Sequence, residues 1–282
     1  MTPLGRELAS VLADDPVDLA RAALVIARLE YPSLDPVPTL ATLSALGDRA
    51  AERLHQLDAA PVRTRIAALN QLLYEDENFA GNHDHYDDFR NSLLNVVLER
   101  RLGIPISLAV VYMEVARRAG LDVRGVAFPG HFLMRVANPA GEAGVILDPF
   151  DGGDEVDEQG CRQLLARRLG DDAGYDEELL SPCSSRQIIS RILNNLKRTY
   201  IELRSFEHAR QVSDLILAVD PAALTEVRDR GLIAYHLDDY SAALRDLEDY
   251  FRLQTWSEDS REERDQIWAH VKNLRRRLAG MN

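Results

Sequence analysis

Three side chains in the middle of this 282-residue chain can carry proton or nucleophile chemistry: Ser107 in the first turn of an apolar stretch, His131 opening a strand-like run, and Asp148 closing another. Imidazole titrates near neutrality, and a carboxylate bonded to one ring nitrogen fixes where its proton sits. A second concentration of donors lies in His83-Asp84-His85-Tyr86-Asp87-Asp88. Imidazoles and carboxylates so close together are donor types for a divalent metal. No further ligand cluster fixes a geometry, so the expectation is a solvated loop, with no metal ligands and no cofactor. Asn91, beside Arg90, has two readings: a polar contact lining a cleft next to His131, or a cap for a helix starting at Ser92.

The elements that must position these residues follow from periodicity. Helices are expected over residues 16–30, 38–57 and 62–74, each with apolar residues at three- and four-residue spacing. Residues 75–90 are polar and lack such a period, which reads as a long loop. Helical patterns resume at Ser92–Leu102 and Ser107–Ala119, stopped by Gly103 and Gly120. The second is apolar on nearly every side, as a helix buried in a core must be. Strands are expected at Val123–Phe128, His131–Val136 and Val145–Leu147, separated by Pro129-Gly130 and a turn at Asn138–Gly141. A short helix near Gln163–Leu169 and the acidic stretch Asp171–Glu178 then lead to Ser181-Pro182.

From Ser184 onwards the pattern is helical and repeats with a shift of 34 residues, which aligns Leu193 with Val227, Phe206 with Tyr240 and Ala209 with Ala243. That is the tetratricopeptide period, and residues 262–278 read as a capping helix. The expected division is a first domain over 1–183 and a repeat region over 184–282.

The order of a buried helix followed by strands carrying His131 and Asp148 resembles the transglutaminase-like fold. The runs Arg90-Asn91-Ser92-Leu93-Leu94-Asn95, Leu98 to Leu108 and Phe128-Pro129-Gly130-His131-Phe132-Leu133 resemble more specifically the SirB family of bacterial proteins. The resemblance implies an α+β class: a papain/transglutaminase-like core with a helical layer, a buried central helix and antiparallel strands, then an all-α tetratricopeptide-like region. It also implies that His131 stands at the transglutaminase histidine and Asp148 at the aspartate that orients it. The cysteine position falls at about Pro105, which cannot be a nucleophile. The nearest hydroxyl is Ser107, either the nucleophile of a Ser107-His131-Asp148 triad or a helix cap. His131 and Asp148 could equally persist as a buried polar staple.

With 33 basic against 46 acidic residues the net charge is −13, which repels phosphate backbones and anionic headgroups. No run reaches the roughly 18 apolar residues of a membrane span, and the start lacks a secretory pattern, so a cytoplasmic protein is expected. Cys161 and Cys183 form neither a disulfide framework nor a zinc pattern. Three functions compete. The leading one is a non-catalytic transglutaminase-like protein that docks a protein or peptide through its repeats. The second is a hydrolase or acyl-transfer enzyme acting on a peptide or amide bond through Ser107, His131 and Asp148. The third is a small-molecule binder using the vestigial cleft, with Asn91 and His131 as polar contacts.

Overall fold

The computed structural model describes residues 1–138, 144–170, 173–258 and 260–281, without the side chains of Arg168 and Met281. The expected turn at Asn138–Gly141 and the start of the acidic stretch at Asp171 lie largely outside the described residues. The chain divides into two compact units, Val11–Ile192, and Met1–Ser10 with Leu193–Asn282.

Helix α1 (Pro3–Val11) falls almost wholly in the second of these, and the first unit opens with α2 (Leu19–Ala27), whose Asp18 side chain accepts from Arg21 N–H at 2.8 Å. Every residue of α2 except Arg21 is buried. After it come α3 (Pro36–His55), started by Asp35 and Pro36, and α4 (Val62–Asn70). The last helical turns continue as a π-helix over Gln71–Asp76, and residues 75–90, read from sequence as one long loop, contain a short strand, β1 (Ala80–Gly81). A 3-10 turn at Phe89–Ser92 leads into α5 (Leu94–Arg100). Strand β2 (Leu102–Gly103) then pairs in parallel with β1. A two-residue strand carries no alternation, so periodicity cannot reveal it.

Helix α6 (Pro105–Arg118) is the centre of this unit, buried at eleven of its fourteen positions. It packs against α2, α3, α5 and the sheet that follows. That sheet has the order β3 (Val123–Val126), β4 (Leu133–Val136), β5 (Val145–Asp148), β6 (Asp154–Glu155), with every pair antiparallel. Helix α7 (Glu158–Leu169) sets Cys161 and Leu165 into one cluster with Val126, Phe128, Leu133 and Ile146. Burial raises the Cys161 thiol pKa, as does the charge of Asp157 and Glu158.

Helix α8 (Ser185–Glu202) starts in this unit and ends in the other. The second unit continues as two hairpins, with α9 (Phe206–Val219), α10 (Leu224–His236), α11 (Tyr240–Leu253) and the terminal α12 (Arg261–Met281). The repeat shows in the backbone. Arg204 and Asp238, 34 positions apart, both adopt positive φ, at 55° and 58°. At the same register Ser205 N–H donates to Tyr200 O and Asp239 N–H to Ala234 O, the closing bond of a helix end in each repeat. Gly231 lets α10 approach α11, because a Cβ there would stand 3.0 Å from Leu247. Charged side chains tie the helices. Lys197, largely buried, meets Glu226 at 2.5 Å and Asp229 at 2.9 Å, while Arg230 forks onto Asp246 and reaches Asp214.

Candidate functional site

The start of α6 is built on Ile104-Pro105-Ile106-Ser107. Ile104 is the N-cap, Pro105 occupies the first turn where its missing N–H costs nothing, and Ser107 reaches back to accept from Ile104 N–H at 3.1 Å. The Ser107 hydroxyl lies 2.6 Å from the Asn91 carbonyl and 3.1 Å from the Ile104 carbonyl. One proton serves one of them well, and the shorter contact identifies Asn91 as its acceptor. Ser107 therefore stitches the helix start to the segment before α5 and is only 3% exposed.

Asn91 is the other half of that stitch. Its side-chain Nδ2 donates to His85 O at 2.7 Å and Tyr86 O at 3.2 Å, and its side-chain Oδ1 accepts from Asn82 Nδ2 at 2.9 Å. Fully buried, it holds residues 82–91 in shape and has no amide donor left for a ligand. Asp88 anchors the same segment. Burial would raise its carboxyl pKa, but hydrogen bonds from the Arg90 side chain and backbone, with Arg100 beyond, hold it below the ordinary value. His83 Nε2 stands 3.6 Å from Asp151, and among the described residues no three or more His, Cys, Asp or Glu side chains converge as a metal site would require.

His131 and Asp148 are brought together, with His131 Nε2 2.8 Å from Asp148 Oδ2. The second carboxylate oxygen accepts from Phe150 N–H at 2.9 Å. Asp148 lies at the end of β5 and is buried, whereas the His131 side chain keeps 17% of its surface. Its carbonyl accepts from Arg191 at 2.9 Å, and its N–H donates to Phe128 O. An ionised Asp148 requires the proton on Nε2, which leaves Nδ1 as a lone-pair acceptor with no hydrogen bond among the described residues. His131 and Ser107 share no hydrogen bond.

A buried polar layer supports the Asp148 end. Tyr74, in the π-helix, donates to Pro149 O at 3.1 Å, and Asn70 bridges Tyr112 OH and Gly153 O. Burial drives the Tyr74 phenol far above its ordinary pKa, and the nearby Asp148 carboxylate adds to this, so it acts as a neutral donor. Around the dyad the rings gather on Phe150: His83 at 4.3 Å, Tyr86 at 5.7 Å and His131 edge-on at 6.5 Å between centroids. Gly81 makes this possible, because a Cβ there would stand 2.6 Å from the Phe150 ring. Sequence reasoning missed Phe150, Tyr74 and Asn82. The one available signal was the adjacency of Phe150 to Asp148-Pro149.

A family model for the transglutaminase-like superfamily matches residues 38–194, and a tetratricopeptide repeat model matches residues 196–271. The chain is 39% identical over 256 residues to a UPF0162 protein of Xylella fastidiosa, covering 90% of this chain and 89% of that one. It is 31% identical over 220 residues to the UPF0162 protein YchA of Escherichia coli and 29% to protein SirB1 of Salmonella typhimurium, covering 78% of this chain and 79% of each. The chain belongs to the SirB family of transglutaminase-like proteins. Its transglutaminase-like core keeps a histidine and an aspartate in contact while the start of the central helix offers Pro105 and a capped Ser107. The start of α6 holds Pro105 and the backbone-bonded Ser107.

Proposed function

We propose that this SirB-family protein is a non-catalytic, cytoplasmic transglutaminase-like protein that works by docking a protein or peptide through its tetratricopeptide repeats. The observation that carries the reading is the Ser107 hydroxyl, committed at 2.6 Å to the Asn91 carbonyl and accepting the Ile104 N–H. A hydroxyl nucleophile needs its proton aimed at the base, so a working triad would require breaking a buried backbone stitch. The acyl-transfer alternative depends on that rearrangement. The docking half of the reading is supported by the repeat architecture, since stacked helix pairs form extended surfaces for polypeptides.

Two experiments test it. Purified full-length protein is exposed to a serine-directed fluorophosphonate probe, beside Ser107→Ala and His131→Ala. The expected result is no labelling in any of the three; labelling of the wild type that both substitutions abolish overturns the non-catalytic reading. For docking, the full-length chain is cross-linked to polypeptides retained from a bacterial extract and the cross-links are mapped. Cross-links on residues 193–281 support docking by the repeats, whereas cross-links confined to residues 1–192 overturn it.

A further inference from the structure

The contact between Asp148 and His131 places an anion in a site largely screened from water. Asp148 is 4% exposed, with one oxygen held by Phe150 N–H and the other by His131 Nε2. With the ring neutral, the pair carries one negative charge, and Nδ1 of the part-exposed His131 ring is an acceptor with no hydrogen bond among the described residues. A charge-assisted donor at Nδ1 satisfies both the acceptor and the charge.

The surroundings narrow the class of donor. Phe150 lies edge-on to His131 and carries the rings of His83 and Tyr86, which gives the rim several aromatic faces. Such faces attract cations. Asp151, exposed and 3.6 Å from His83 Nε2, adds a carboxylate to the same rim. An acceptor nitrogen, aromatic faces and a carboxylate side by side suit a planar cation that stacks and donates in its own plane. Guanidinium does both and is weakly hydrated, whereas an ammonium is a compact and strongly hydrated point charge.

We infer that the His131–Asp148 site binds a guanidinium group, as carried by arginine. The inference rests on the reading that no nucleophile of the chain serves the dyad. Arginine within a polypeptide and the free amino acid offer the same chemistry, and the experiment separates them.

The test follows the ring nitrogens of His131 by long-range nitrogen–proton NMR in the full-length protein. The titrants are free arginine, an arginine-containing peptide, and their citrulline and lysine counterparts. Arginine probes are expected to move the Nδ1 resonance saturably, with citrulline and lysine weaker by about tenfold or more. Tighter binding of the peptide assigns the ligand to a polypeptide; equal binding assigns it to the arginine side chain alone, and either supports the inference. Asp148→Asn is expected to lose binding. Phe150→Leu, which keeps the dyad, is expected to weaken it several-fold, so a folding failure of the first variant leaves the second decisive. No shift with either arginine probe, or citrulline binding equally well, overturns the inference. Lysine binding equally well overturns the guanidinium assignment. Cleavage or modification of the peptide, read by mass spectrometry, would sink the non-catalytic reading and leave guanidinium recognition standing.

Discussion

Replacing Ser107 by alanine removes two buried backbone partners at once, the acceptor for Ile104 N–H and the donor to the Asn91 carbonyl. A buried polar group left unpaired costs about 1–3 kcal/mol. Ser107→Ala is therefore expected to lower unfolding free energy in urea by about 2 kcal/mol or more, and an unchanged midpoint would show that the stitch contributes nothing. Asp88 gives a pH signature. Its folded pKa is depressed, so its contribution is present above the ordinary carboxylate value and disappears as pH falls through the folded one. Asp88→Asn should thus be less stable than wild type at neutral pH, with the two converging as pH falls through the depressed folded value; a gap that persists in acid contradicts the ion-pair origin. At this scale, residue types were legible and partners were not. Ser107 read as a cap more readily than as a nucleophile, yet what decides between them is a carbonyl sixteen positions upstream in a segment without periodicity.

At the scale of elements, Gly81 shows how a strand of two residues controls the site. Its backbone lies under Phe150, and a Cβ would stand 2.6 Å from both the ring and the Phe150 carbonyl. Something must move, and overpacking of this kind costs about 1–3 kcal/mol. Gly81→Ala is expected to lower the urea midpoint and to shift the His131 ring resonances, since Phe150 N–H also holds Asp148; unchanged resonances would mean that Phe150 adjusts independently of the dyad. Long, strongly patterned elements such as α2, α3 and α6 were readable because one face or all faces are apolar over several turns. Strands β1, β2 and β6 were not, being two residues each. The π-helix was also hidden, since nothing in Gln71–Asp76 distinguishes it from a continuing α-helix until Tyr74 meets Pro149.

On the scale of the whole molecule, the 34-residue shift was legible because the repeat is carried by small and aromatic residues at fixed places, and the backbone repeats with it at Arg204 and Asp238. The buried ion pairs between the helices were not, since charged residues read as surface. Lys197 is the sharpest case. Removing it leaves Glu226 buried without its counter-ion, a loss of the kind that costs about 3–5 kcal/mol. Lys197→Met should destabilise the full-length chain by that order in urea, and adding Glu226→Leu should restore much of the loss. A double variant no more stable than the single one would place the contribution of Lys197 in its contact with Asp229 instead.

Helix α1 belongs to the same compact unit as Leu193–Asn282, its Leu8 is fully buried, and its Gly5 comes close to Ala218 of α9. On the ribosome α1 is made before the core and its packing partners after it, so the segment must wait while Val11–Ile192 is synthesised between the two halves of its own unit. A fragment begun at residue 184 would lack part of the interior it needs, and supplying residues 1–12 in trans as a peptide should raise its thermal midpoint.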